Sequence, residues 1–253
     1  MLLDEKEKEL LDVLSSANSV LSVKEIAKRL FVSEPTARRR LSVLAKKNYV
    51  VRTHGGAIIN YNMTQNKTIP LYLRISNMSD GKTLIAKKAM KLIKDNSVIF
   101  LDGSSTAFHL VPFLKTFHDI TVCTNSLKTA ITLAEMDIKT ICLGGNVNFS
   151  NLACSSPDTF EMIEKLNADI LFFSCDALSQ DGILSDSSSE ASFLRIKYMK
   201  NADVKVLLID NTKLNKKCQH NMCSVKDLDY CICNTPLPEN IKSMLKNPDF
   251  GED

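Results

Sequence analysis

The sequence predicts an α/β chain in two parts: an N-terminal winged helix-turn-helix and a larger domain built on a mostly parallel sheet. Three observations lead there. The first 59 residues hold three short amphipathic helices, then two short strands around a Gly-Gly turn. From about residue 79, short apolar strands alternate with amphipathic helices, the pattern of a parallel sheet covered on both faces. Between these parts, residues 60–70 are polar and end in Pro70, as a connecting segment does. The expected division is 1–59 for the head, 60–75 for a linker and 76–253 for the larger domain.

In the head, Leu10, Leu11, Val13 and Leu14 fall at helical spacing and place a helix over 4–17. Ser22 and Glu25 have the spacing of a capping box and open a helix from Val23 to Leu30. Phe31-Val32-Ser33 interrupts it. Ser33 suits an N-cap, and Pro35 suits the first turn that follows, where an amide has no partner to lose. Ala37, Leu41 and Leu44 turn this third helix inward. Arg38, Arg39 and Arg40 then fan over the exposed arc near its start. Tyr49 to Arg52 and Ala57 to Ile59 read as wing strands around His54-Gly55-Gly56.

In the larger domain, strands are expected at Val98 to Leu101, Ile120 to Cys123, Ile138 to Leu143, Ile170 to Phe173, Val204 to Ile209 and Tyr230 to Cys233. Helices precede the first five at 80–94, 106–115, 126–135, 159–166 and 188–201, and a last helix covers 238–246.

Charge is unevenly spread. Residues 1–60 hold 11 Lys or Arg against 7 Asp or Glu; the remainder holds 21 against 22. The head therefore carries the whole excess of the +3 net charge, which suits a polyanion. No apolar run approaches the roughly 18 residues of a membrane span. The acids of the opening MLLDEKEKELL argue against a secretory signal. A cytoplasmic chain with no membrane contact is expected, its eight cysteines reduced.

A short capped helix, a tight turn and a second helix with a basic start is how a helix-turn-helix addresses a major groove. Arginine forks grip a guanine edge or a phosphate with two bonds. The candidate DNA contacts are Ser33, Pro35, Thr36, Arg38, Arg39, Arg40, Arg52 and His54. A run of arginines by itself is more often a solvated helix face. The cap, the break and the wing beside it turn the balance towards DNA.

In an open parallel sheet, ligands bind at the C-terminal strand ends. Three such ends carry small polar loops: Asp102 to Thr106, Thr124-Asn125-Ser126 and Gly144-Gly145-Asn146. Hydroxyls and amides at a helix start can cradle a phosphate. Singly, each loop reads as no more than a cap or a turn; together on one rim they point to a ligand site. The candidates are Asp102, Ser104, Ser105, Thr106, Thr124, Asn125, Ser126, Gly144, Gly145, Asp176, Asp186, Glu190 and Lys213. Lys213 would set a positive charge opposite a phosphate.

Val32-Ser33-Glu34-Pro35-Thr36-Ala37-Arg38-Arg39-Arg40-Leu41, followed by Arg52-Thr53-His54-Gly55-Gly56-Ala57, closely resembles the DeoR family of bacterial sugar-metabolism regulators. The likeness continues through Arg74, Lys82, Ile85-Ala86, the three polar loops and Asp210 to Lys213, and so spans almost the whole chain. It implies a sensor domain similar to the ribose-5-phosphate isomerase fold. It also implies a phosphorylated sugar effector, a DNA operator, a homo-oligomer and repression of a sugar-utilisation operon, without a cofactor. In that frame the hydroxyl loop holds the phosphate. Asp102, whose charge would repel it, meets a sugar hydroxyl or a backbone amide, and Asp176, Asp186 and Glu190 meet sugar hydroxyls. The chain departs from the family pattern at Arg40, where an acid is expected, at Gly103-Ser104-Ser105-Thr106, and at Pro157, where a glycine is expected.

Two other readings compete. Asp176, Glu190 and Lys213 could serve a sugar-phosphate isomerase as base and oxyanion partner, but the Lys-x-Gly-Gly-Gly segment of such enzymes is missing. Cys218, His220, Cys223, Cys231 and Cys233 could serve a thiol- or metal-responsive regulator, but their spacing is no familiar zinc pattern. Cys231 and Cys233 alternate on a strand and are expected in the core. Neither a catalytic residue nor a metal ligand is assigned.

Overall fold

Capping residues set the helices of the head. The computed structural model describes residues 4–17, 20–47, 49–59, 71–76, 78–248 and 250. Helices α1 (Glu5–Ala17), α2 (Val23–Arg29) and α3 (Glu34–Lys46) close around Leu10, Leu14, Ile26, Leu41 and Leu44. Ser22 Oγ accepts the Glu25 amide at 3.2 Å, and the Glu25 carboxylate accepts the Ser22 amide at 3.0 Å. Ser33 caps α3 through the Thr36 amide, with Pro35 in the first turn.

The wing has one strand more than expected. β1 (Leu21–Ser22), β2 (Val50–Thr53) and β3 (Gly56–Ile59) form an antiparallel sheet in the order β1-β3-β2. An N-cap residue has extended backbone, so Ser22 serves as strand and cap together. Gly55 turns the chain with φ +88°. A Cβ on Gly56 would stand 2.3 Å from the Leu21 carbonyl oxygen, so the wing needs glycine there to reach β1.

Residues 60–70 of the expected linker lie outside the described residues. Beyond them, α4 (Leu71–Ser76) packs beside α1, and Leu71 is buried. By its contacts the chain forms two compact units, Met1–Ser79 and Asp80–Asp253.

The second unit holds α5 (Ser79–Ala89), β4 (Val98–Leu101), α6 (Ser105–Phe108), α7 (Val111–Leu114), β5 (Thr121–Thr124), α8 (Leu127–Glu135), β6 (Lys139–Cys142), β7 (Val147–Asn148), β8 (Ala153–Cys154), α9 (Pro157–Glu164), β9 (Ala168–Phe173), β10 (Ala177–Leu178), β11 (Ile183–Asp186), α10 (Ser189–Lys200), β12 (Ala202–Ile209), β13 (His220–Ser224), β14 (Tyr230–Cys233) and α11 (Glu239–Lys242). Six strands pair in parallel in the order β14-β12-β9-β4-β5-β6. Alternate residues enter opposite cores, which is why the inner stretches of the central strands are apolar. Ile99, Leu101, Phe172 and Leu208 line one face; Phe100, Phe173, Leu207 and Tyr198 line the other.

The helix expected over 106–115 is two short ones, α6 and α7, with Pro112 in the first turn of the second. The helix expected over 80–94 gives way to a 3-10 turn at Met90–Leu92. The closing helix shortens to Glu239–Lys242. Two small antiparallel sheets are additional: the hairpin β7-β8 and the sheet β10-β11-β13. Their strands are short, three of them only two residues long, so they carry no hydrophobic alternation to announce them.

Gly56→Ala is expected to destabilise the head by about 1–3 kcal/mol, the usual cost of overpacking. Urea unfolding followed by circular dichroism measures it, and an unchanged midpoint would contradict the close approach to Leu21.

Candidate functional site

The outer face of α3 begins with exposed Ser33, Pro35 and Thr36. Arg38 and Arg39 are exposed as well. Arg38 lies 3.5 Å from Glu34 one turn back, an exposed pair worth little. Arg40 takes another course from the expected fan. Its Nη1 reaches Glu9 on α1 at 3.4 Å, and only 18% of the side chain is exposed. Apolar positions of α3 face α1, and Arg40 lies at their edge, where an acid is in reach. Lys47, just past the end of α3, likewise pairs with Glu7 on α1 at 2.5 Å. From β2, Arg52 crosses onto α3, donating to Ser42 Oγ at 3.2 Å and to the Arg38 carbonyl at 3.4 Å. His54 stands exposed at the wing tip. Arg39, Arg38, Arg52 and His54 thus form the exposed basic surface of the helix and wing.

In the second unit, the C-terminal strand ends bring several expected residues together around an arginine the sequence reading overlooked. Asp102 follows β4 and is 1% exposed. Its Oδ1 accepts the Ser104 amide and hydroxyl at 3.0 and 2.5 Å. Its Oδ2 accepts Arg195 Nε at 2.9 Å and the Ser174 amide at 3.4 Å. Arg195 Nη1 donates to Asp186 Oδ2 at 2.7 Å. Asp186 also accepts the Asp176 amide at 3.0 Å. Asp176 in turn accepts the Ser187 amide and hydroxyl. Lys213 Nζ donates to the Cys175 carbonyl at 2.7 Å and to Ser174 Oγ at 3.4 Å. Asp102 is thus committed to its own loop and to Arg195, the backbone-amide alternative of its two expected roles.

Burial raises the Asp186 carboxyl above its ordinary value; Arg195 opposes the rise and Asp176 adds to it. Burial would lower the Arg195 guanidinium, but Asp186, then Asp102 and Asp176, hold it above its ordinary value. A signal for Arg195 was available. It follows Ser192 by three positions and precedes Tyr198 by three, on the face of α10 that buries both.

The other loops adjoin this cluster or stand apart from it. Ser104 caps α6, while Ser105 and Thr106 are buried behind it. Thr106 Oγ1 is buried with no hydrogen-bond partner among the described residues. Thr124 Oγ1 accepts the Ser126 amide, and Ser126 caps α8. Asn125 donates to the Cys154 carbonyl and accepts Tyr198 Oη at 3.3 Å. Gly144 and Gly145 sit against α9: Thr159 donates to the Gly144 carbonyl at 2.6 Å, and a Cβ on Gly145 would stand 2.3 Å from Ser156 Oγ. The family's glycine at 157 is Pro157 here, which opens α9 at its first turn. Glu190 is exposed and accepts the Ser188 and Ser189 hydroxyls, so its contacts are with its own helix start.

The cysteines follow the strands. Cys231 and Cys233 are buried in the core on one face of the sheet. Burial pushes the Cys175 thiol up to about 12. All eight are free thiols. Among the described residues, no three His, Cys, Asp or Glu side chains form a group able to hold a metal ion. No helix among them is long and apolar enough to cross a membrane.

Two family models match the chain: a DeoR-like helix-turn-helix domain over residues 7–62 and a DeoR C-terminal sensor domain over residues 77–235. An L-fucose operon activator of Haemophilus influenzae is 29% identical over 90% of this chain and 91% of its own length. A lactose phosphotransferase system repressor of Staphylococcus aureus is 28% identical over 91% and 92%. Among solved structures, ribose 5-phosphate isomerase A of Methanocaldococcus jannaschii aligns over 54% of each chain, with 22% identity and a TM-score of 0.41.

Arg195→Ala would leave two buried carboxylates without their cation. Removing one side of a buried ion pair costs about 3–5 kcal/mol, and a loss of that size is expected in the urea unfolding free energy. A change below about 1 kcal/mol, the range of exposed pairs, would show that Asp102 and Asp186 do not depend on it.

Proposed function

The chain belongs to the DeoR family of DNA-binding transcription regulators, and on that premise we propose that it represses a sugar-utilisation operon until a phosphorylated sugar binds its second unit. Residues 1–59 form the DNA-reading head, and 76–253 the sensor. The protein works in the cytoplasm as a homo-oligomer, because one small winged head offers little affinity and two can engage a repeated half-site.

For the DNA side we assign base reading to Arg39 and Arg38, with Ser33, Pro35, Thr36, Arg52 and His54 on the flanking edges and phosphates. Arg40 contributes through α1, by its contact with Glu9. For the sensor, the observation that carries the reading is the rim itself. Hydroxyl-bearing loops follow β4 and β5, Arg195 reaches the first of them through Asp102, Lys213 stands at the loop after β9, and Thr106 Oγ1 is buried without a partner among the described residues. A buried hydroxyl without a bond is costly, and an oxygen-rich ligand would satisfy it. Ser104, Ser105, Thr106, Thr124, Asn125 and Ser126 line the phosphate side, with Gly144 and Gly145 shaping the adjoining loop. Asp176, Asp186, Glu190 and Lys213 flank the sugar side. Asp102 holds the loop in shape.

Ligand binding relieves repression only by as much as it favours one arrangement of the sensor over another. That a relative is named as an activator and another as a repressor makes the sign of control an experimental readout.

A thermal-shift panel of sugar phosphates, each beside its free sugar, tests the sensor reading. One phosphorylated sugar is expected to raise the melting temperature by mass action while its free sugar does not. Equal shifts from both would overturn the phosphate cradle. Arg39→Ala is expected to weaken operator binding by about 1–3 kcal/mol with the melting temperature unchanged; full affinity in a gel-shift titration would remove Arg39 from the interface.

A further inference from the structure

Resting on that sensor reading, we infer that Arg195 tells one sugar phosphate from another, by donating to a carbonyl or hydroxyl oxygen of the sugar. Arg195 has five N–H donors. Its hydrogen bonds among the described residues are Nε to Asp102 and Nη1 to Asp186. Nη2 has no hydrogen-bond partner among the described residues, and 13% of the side chain is exposed. Two carboxylates, each 1% exposed, therefore fix the guanidinium plane and leave Nη2 without a partner among the described residues.

Charge decides what Nη2 meets. Asp102, Asp176 and Asp186 outnumber Arg195 and Lys213 in this cluster, so a phosphate dianion would approach more negative than positive charge. An uncharged sugar oxygen carries no such penalty. It can accept from Nη2 while a neighbouring hydroxyl donates to Asp176, which is exposed beside it. A phosphate is better placed at the hydroxyl loops after β4 and β5, where no carboxylate but Asp102 intervenes, and Asp102 is ion-paired with Arg195. A donor and an acceptor held rigidly at fixed spacing select among sugars by the position and configuration of their oxygens, since a mismatched isomer leaves a polar group unpaired.

The test uses the full chain. Wild type and Arg195→Lys are titrated with inorganic phosphate, glycerol 3-phosphate and a set of aldose and ketose phosphates that differ at single carbons. Calorimetry gives affinities, and melting temperature confirms folding. The lysine keeps the charge and loses the fork. Its response to inorganic phosphate and glycerol 3-phosphate is expected to stay within about twofold. Its preference for the best sugar phosphate over the next is expected to fall about tenfold, as for one lost hydrogen bond to a charged group.

If the lysine variant does not fold, Asp186→Asn leaves the Asp102–Arg195 pair in place and replaces the charged acceptor of Nη1 with a weaker, neutral one. The order of preference among sugar phosphates is then expected to change with the inorganic phosphate response unaltered. An equal loss for inorganic phosphate and sugar phosphates would make Arg195 an anion contact or a structural tie and overturn the inference. So would unchanged selectivity in a folded variant. A wild type that responds to neither inorganic phosphate nor any sugar phosphate would overturn the sensor reading itself, a result distinct from either of these.

Discussion

The guanidinium of Arg195 ties the sensor rim together. It joins three pieces of chain that are far apart in sequence: the loop after β4 through Asp102, the end of β11 through Asp186, and its own helix α10. Each carboxylate is almost fully buried, and neither would be tolerable there without a cation. Asp102, so neutralised, uses its other oxygen to fix Ser104, and Ser104 caps α6. The shape of the hydroxyl loop is thus decided by a residue more than ninety positions away. The same arrangement sets the polarity of the rim, with hydroxyls on one side and paired charges on the other.

The head rests on a comparable economy. Ser22 ends a strand and caps a helix, and Gly56 lets the wing close against it. The wing is thereby held to the start of α2, and α2 packs on α3. Arg52 lies across α3, so wing and recognition helix present their basic groups on one surface. Arg40 and Lys47 reach towards α1. They bind acids on α1 and hold α3 against it.

Much of this was legible in the residues. The capping box at Ser22, the N-cap at Ser33, the apolar helix faces and all six parallel strands follow from local spacing, because their signals lie within a few positions of one another. What escaped had no local signal. The strands β7, β8, β10, β11 and β13 are too short to show a period, and their pairing depends on partners brought from elsewhere. The expected helix over 106–115 breaks because Pro112 can start a turn but not continue one. At the site, the polar loops were visible as types of residue. Whether each faces a ligand or its own backbone was not. Glu190 folds onto Ser188 and Ser189, and Asp102 is consumed by Ser104, Ser174 and Arg195.

The sequence by itself determined the two-part architecture, the family and the candidates for reading DNA or holding a phosphate, since these depend on periodicity, caps and short strings of residues. The tertiary structure decided which of those residues are free to act. A charge in a run such as Arg38 to Arg40 looks equivalent to its neighbours until the acid that one of them meets is in place. A lone arginine in a helix looks like a surface residue until two buried carboxylates are seen beside it. Both outcomes turn on desolvation and pairing between distant segments, which only the folded chain brings about.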